Sequence, residues 1–140
     1  MITAVLPYFR TRLNGLSFKE WKDGFNFENI PATILDRSYH MVPSTGTRVP
    51  PYASDGVQRD EITIIRVFRK GFRDVASALA AAKQDVETIE LDVCKAENRL
   101  TSDLKNVYLE TYDFEQKSSD NDNLVITVMN FRTKTFYKFT

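Results

Sequence analysis

Residues 61–86 read EITIIRVFRKGFRDVASALAAAKQDV, and the change of period inside this stretch decides the fold. Over Glu61–Phe68 the chain is rich in β-branched residues, with Ile62, Ile64 and Phe68 on one face and Thr63, Ile65 and Val67 on the other. Both faces are substantially apolar, which predicts an interior strand. Gly71 marks the turn that follows, and Asp74 is placed to cap a helix. From Val75 an apolar stripe runs through Leu79, Ala82, Val86, Ile89, Val93, Ala96 and Leu100, alternating spacings of four and three. That spacing predicts a long amphipathic helix ending near Asn98. Asp85, Glu87, Glu90, Asp92 and Lys95 fall away from the stripe, while Ala78, Ala80, Ala81 and Ala82 keep the helix slim enough to lie close to a sheet.

Upstream, Ile2, Val5, Leu6, Phe9, Leu13 and Leu16 share one helical face, and Gly15 is placed to end or bend that helix. Ser17 and Glu20 have the spacing of a capping box, so SFKEW (17–21) reads as a further turn. TILDRSYHMV (33–42), bounded by Pro31 and Pro43, reads as a strand. The next stretch, PSTGTRVPPYASDGVQRD (43–60), has no periodic apolar face. It reads as a long loop or arm that engages a partner, or, with no function, as a disordered surface loop or a strand extension that bends away from the sheet.

Downstream, LKNVYLETYDFEQK (104–117) and NLVITVMNF (123–131) flank the polar cluster SSDND and predict an antiparallel hairpin. Leu124, Ile126 and Val128 share one face of the second strand, whereas Phe131, Tyr137 and Phe139 share the other. One straight strand cannot bury both sets on the same side, so a bulge near Asn130 or a terminal arm is expected. The elements together predict a single α+β domain over 1–140, a mainly antiparallel sheet packed by an N-terminal helix and a long central helix. The arm at 43–60 and a C-terminal extension at 131–140 are its projections.

The chemistry is sparse. Nineteen basic residues balance nineteen acidic ones, which argues against a dedicated nucleic-acid binder with its strongly basic face. A lone cysteine, Cys94, excludes an intramolecular disulfide and fits a reducing compartment. Pro7, Arg10 and Arg12 interrupt any leader-like apolar run, and no window has the length of a membrane span, so the chain reads as soluble and intracellular. His40 is the only histidine, which rules out a histidine-based metal site within one chain, and both it and Cys94 read as structural. Asp113, Glu115, Asp120 and Asp122 crowd a turn but lack the ligand spacing of a calcium loop. With no glycine-rich phosphate loop, GxSxG or HExxH present, neither an enzyme nor a cofactor is expected.

What stands out instead is a basic cluster, Arg66, Arg69, Lys70 and Arg73, at the strand-to-helix corner, together with an aromatic end, Phe136, Tyr137 and Phe139. Strand alternation sends Arg66 and Arg69 to opposite faces, which thins the cluster in space. A charged surface on another subunit suits it at least as well as a nucleic-acid backbone does.

In element order, with IPATILDRSYHM feeding an extended segment and RKGFRD joining strand to alanine-rich helix, the chain resembles the tail-terminator (tail-completion) proteins of long-tailed bacteriophages. That resemblance implies a virion structural protein, assembled in the host cytoplasm, that forms a homo-oligomeric and usually hexameric ring at the tail end. It implies a tail-tube protein and a head-completion protein as partners, DNA only in passage through the channel, and no membrane. By the same likeness Arg48, Tyr52 and Arg59 of the arm, and Arg66 to Arg73 of the corner, face a neighbour or the channel. Another head-tail connector, a tail-tube subunit and a small nucleic-acid-binding module are the alternatives.

Overall fold

The structure, a computed structural model, describes residues 5–21, 32–48, 56–71, 75–99, 104–119 and 122–138. Its elements are helix α1 (Val5–Gly15), strand β1 (Lys19–Glu20), helix α2 (Ala32–Leu35), strands β2 (Ser38–Arg48) and β3 (Gly56–Lys70), helix α3 (Val75–Val93), a 3-10 turn (Ala96–Arg99), and strands β4 (Leu104–Ser119) and β5 (Asp122–Lys138). The five strands form one sheet in the order β1-β2-β3-β5-β4, antiparallel except for the short β1–β2 pair. The mixed α/β architecture with a mostly antiparallel sheet is therefore as expected, and β3 lies at its centre.

Each face of the β3–β5 ladder meets different helices. On one face Ile65, Val67, Met129 and Phe131 pack with Tyr8, Phe9 and Leu13 of α1 and with Val86, Ile89 and Val93 of α3. Phe9 and Phe131 set their ring centroids 5.2 Å apart. On the other face Phe68, Leu124 and Ile126 are covered by Leu35 of α2 and by Trp21. This second cover explains how β5 carries apolar residues of both parities: Leu124 and Ile126 are buried on one side, and Met129 and Phe131 on the other. No kink in β5 is needed, and its ladder with β3 runs unbroken from Lys70↔Leu124 to Gly56↔Lys138. Residues 131–138 are thus the second half of β5. The irregularity expected near Asn130 sits in the neighbouring strand, where the register slips between Leu109 and Thr111 and leaves Glu110 as the extra residue.

The central helix is shorter than its sequence stripe. It ends at Val93, and its carbonyls explain why: the Tyr8 hydroxyl donates to Val93 O at 2.6 Å and Asn98 Nδ2 to Asp92 O at 2.8 Å. Side chains take the last carbonyls where another helical turn would have bonded them. Ala96, expected on the stripe, is exposed.

Two further expectations are corrected. Lys19–Glu20 form β1 rather than a helical turn, because Ser17 takes the left-handed backbone (φ 70°) that closes α1, with Phe18 N donating to Leu13 O at 3.1 Å. Glu20 then serves as an ion-pair partner of Arg10 instead of a cap. The strand placed at 33–42 begins only at Ser38, since Ala32–Leu35 coil into α2 to lay Leu35 on Phe68 and Arg37 (φ 64°) reverses the chain. β2 also runs on past Pro43 to Arg48, and β3 starts at Gly56, so both ends of the 43–60 stretch are paired strand. Pro43 is tolerated for a geometric reason. Trp21 N donates to Tyr39 O at 2.7 Å, so alternation turns the Pro43 nitrogen away from β3, where no ladder bond is lost.

Candidate interface

The sequence-selected residues separate into two ends of the sheet. At the corner, Arg69 is turned onto α3: its Nε and Nη2 donate to the two carboxylate oxygens of Asp85, each at 2.6 Å. Asp85 is buried, at 5% exposure, which corrects its placement off the helix stripe. The charge-assisted bond to Asp85 raises the Arg69 pKa against the opposing effect of burial, so the guanidinium stays charged and occupied within the fold. Arg66 lies on the opposite face, in register with His40 and Val128, as alternation requires. Lys70 is half-buried, and its backbone amide is held by Asp36 Oδ1 at 2.9 Å. Tyr52, Arg73 and Phe139 lie outside the described residues.

The other end gathers more of the candidates. Arg48 stands in register with Arg59, Arg59 with Thr135, Gln58 with Phe136 and Val57 with Tyr137. Two arginine positions and two aromatic positions therefore share three adjacent strands, with Arg59 and Phe136 half-buried. Eleven residues of β3 (70 − 59) separate this end from Lys70, about 36 Å at the usual rise per residue. The corner and the arm are thus two surfaces.

A third feature was not singled out by residue type. Among the described residues β1 pairs with β2 at Ser38 and Tyr39, and beside this pair a cavity of about 520 Å³ is lined by Arg10, Glu20, Trp21, His40 and Met41. Arg10 Nε and Nη2 donate to Glu20 Oε1 and Oε2 at 2.9 and 3.2 Å, closing one wall. The indole N–H of Trp21 is buried and meets no acceptor among the described residues. Burial, and then the charge of Arg66, lower the His40 pKa, so its imidazole is neutral at pH 7, against the smaller opposing effects of the Trp21 backbone and Glu20. Next to it Tyr39 is fully buried and donates to Asn14 Oδ1 at 2.8 Å; burial pushes its hydroxyl up to about 12. The sequence signal for this notch is the lone tryptophan just past a two-residue strand.

On the sheet face opposite α1 and α3, Val42, Ile62, Ile64 and Val128 are half-buried and Tyr108 is exposed. Arg132 crosses this face, with Nη1 3.2 Å from Asp60 Oδ2 and Nε 3.0 Å from Glu110 Oε2. Among the described residues, no three of the His, Cys, Asp and Glu side chains come together as a metal set, and no helix is long and apolar enough to cross a membrane. No protein-family model and no curated protein matches the chain.

Proposed function

We propose that this protein is a structural subunit of a bacteriophage tail, forming a ring, hexameric by the family pattern, that caps the tail tube and meets the head-completion protein. It acts by assembly rather than catalysis. The observation that supports this reading is the sheet end where Arg48, Arg59, Phe136 and Tyr137 come into register on three strands. Arginine and aromatic positions brought to one end of three paired strands suit a protein partner, because such residues carry most of the energy of buried interfaces.

The test is imaging and mass. Light scattering across concentration, and electron microscopy of the protein mixed with tail tubes, should show rings that cap the tubes and stop their growth. Arg59→Glu should abolish capping while leaving the circular dichroism spectrum unchanged. Rings that stack into tubes would make the chain a tube subunit, and DNA affinity that falls steeply with salt would make it a nucleic-acid binder.

A further inference from the structure

We propose that the outer face of α3 pairs antiparallel with the same face of a second copy, Leu91 of each chain seating on Ala80 of the other and Lys83 of each meeting Glu90 of the other. The dimer goes beyond the tail reading and does not rest on it. A two-fold contact closes on itself and cannot join successive subunits round a ring, so it holds free subunits in pairs.

The face is made of residues that the fold leaves open. Ala78, Ala82, Asp85, Val86, Ile89 and Val93 turn inward and are buried. On the opposite side Ala80, Gln84, Glu87 and Leu91 recur at spacings of four, three and four, the seam spacing of a coiled coil, and all four are exposed. Leu91, at 75% exposure, is the most open large apolar side chain among the described residues. The helical turn sets it half a revolution from the fully buried Ala82, pointing away from the sheet. Lys83 and Glu90 flank the seam on one side, Ala81 and Thr88 on the other. None of the ion pairs among the described residues involves Lys83, Glu87 or Glu90.

This face is complementary to its own reversal. Turned about a point between Asp85 and Val86, the helix sets Leu91 opposite Ala80, whose small side chain leaves room for it, and Gln84 opposite Glu87, whose carboxylate can accept from the amide. On the flank the same reversal brings Lys83 beside Glu90 at two symmetric places, and the other flank holds only Ala81 and Thr88, small and uncharged. No like charges are opposed. A parallel pair lacks this match: it would set Glu87 against Glu87 and leave Lys83 and Glu90 unanswered. The partner is therefore a second copy, because each half of the face carries what the other half needs. Exposed ion pairs add little energy, so they fix direction and register, while seating Leu91 on Ala80 takes apolar surface out of water. The contact spans Ala80–Leu91 and is small beside specific interfaces of about 1,600 Å², which makes the dimer weak and dependent on concentration.

Sedimentation equilibrium of the full chain should show monomers in exchange with dimers. Lys83→Glu and Glu90→Lys, both at exposed positions, should each weaken the dimer about tenfold by setting like charges together at two places. An equimolar mixture of the two variants should restore association, because each then supplies the charge that the other lacks, and native mass spectrometry should find the mixed dimer in excess over both homodimers. Leu91→Arg should leave a monomer. A protein that stays monomeric at the highest soluble concentration, a dimer that survives Leu91→Arg, or a mixture that recovers nothing would each overturn the pairing. Rings that cap tubes while Lys83→Glu and Leu91→Arg change no association would remove this contact and spare the tail reading. Dimers that recover on mixing, in a protein that never caps a tube, would do the reverse.

Discussion

The two ends of the β3–β5 ladder are built from the same kinds of residue and are treated differently by the fold. Near Lys70, Phe68, Leu124 and Ile126 lie under α2 and Trp21, while Val67 and Val125 on the reverse side lie under the longer helices. Toward Gly56 the helix side is still closed, with Val57 at 3% and Thr135 at 0% exposure, but Ile62, Lys134 and Phe136 on the other side are only half-buried. One end is two-sided core and the other is one-sided. An apolar run along a strand therefore records how many faces are wanted dry, and says nothing of whether this chain or another supplies the cover.

That contrast can be broken by substitution. Phe68→Ala should cost about 3–5 kcal/mol in urea unfolding, whereas Ile62→Ala should cost only about 1 kcal/mol. Equal losses would mean that the far end is as firmly packed as the near one. Asp85→Ala, at the covered end, should cost about 3 kcal/mol by stranding the Arg69 guanidinium, and adding Arg69→Met should recover part of it. A smaller loss is expected from Arg132→Met on the open face, where Asp60 and Glu110 keep access to water.

Acid sharpens the same comparison. His40 has its folded-state pKa lowered, so below the ordinary value of 6.5 the unfolded chain takes up the proton first. The stability His40 contributes is complete above that pH and declines as pH falls from 6.5 through the lowered value. The groups around it are Arg66, Glu20 and the Trp21 backbone. His40→Gln should flatten the acid limb of the unfolding midpoint against pH, and an unchanged limb would place the titration elsewhere. The smallest effect belongs to Thr127→Val. The Thr127 hydroxyl is fully buried and has no partner among the described residues, so an isosteric methyl should be neutral or stabilising by up to about 1 kcal/mol.

Much of the scaffold was legible because its signals were periodic and local. The central strand, the α1 stripe and the β4–β5 hairpin all follow from spacing alone. The failures share another cause: a local pattern lost to a distant partner. α3 stops where Tyr8 and Asn98 reach its carbonyls, from 85 and 6 residues away in sequence. Asp85 looked like a solvent residue until Arg69, 16 residues earlier, was folded onto it. TIL (33–35) has strand composition, yet it coils because Phe68 needs a lid. At the candidate surfaces, alternation separated Arg66 from Arg69 in advance. That the Arg48 and Arg59 positions share one end of the sheet with those of Phe136 and Tyr137 depends on β2–β3–β5 register, which no single strand encodes.

The bond from the Tyr8 hydroxyl to Val93 has a reach beyond ending a helix. Together with the bidentate contact of Arg12 with Asp92, at 2.6 and 2.9 Å, it fastens the first helix across the final turn of α3. The two helices should therefore exchange their amide hydrogens as one cooperative block, so that trimming the N-terminus frays a site some eighty residues downstream.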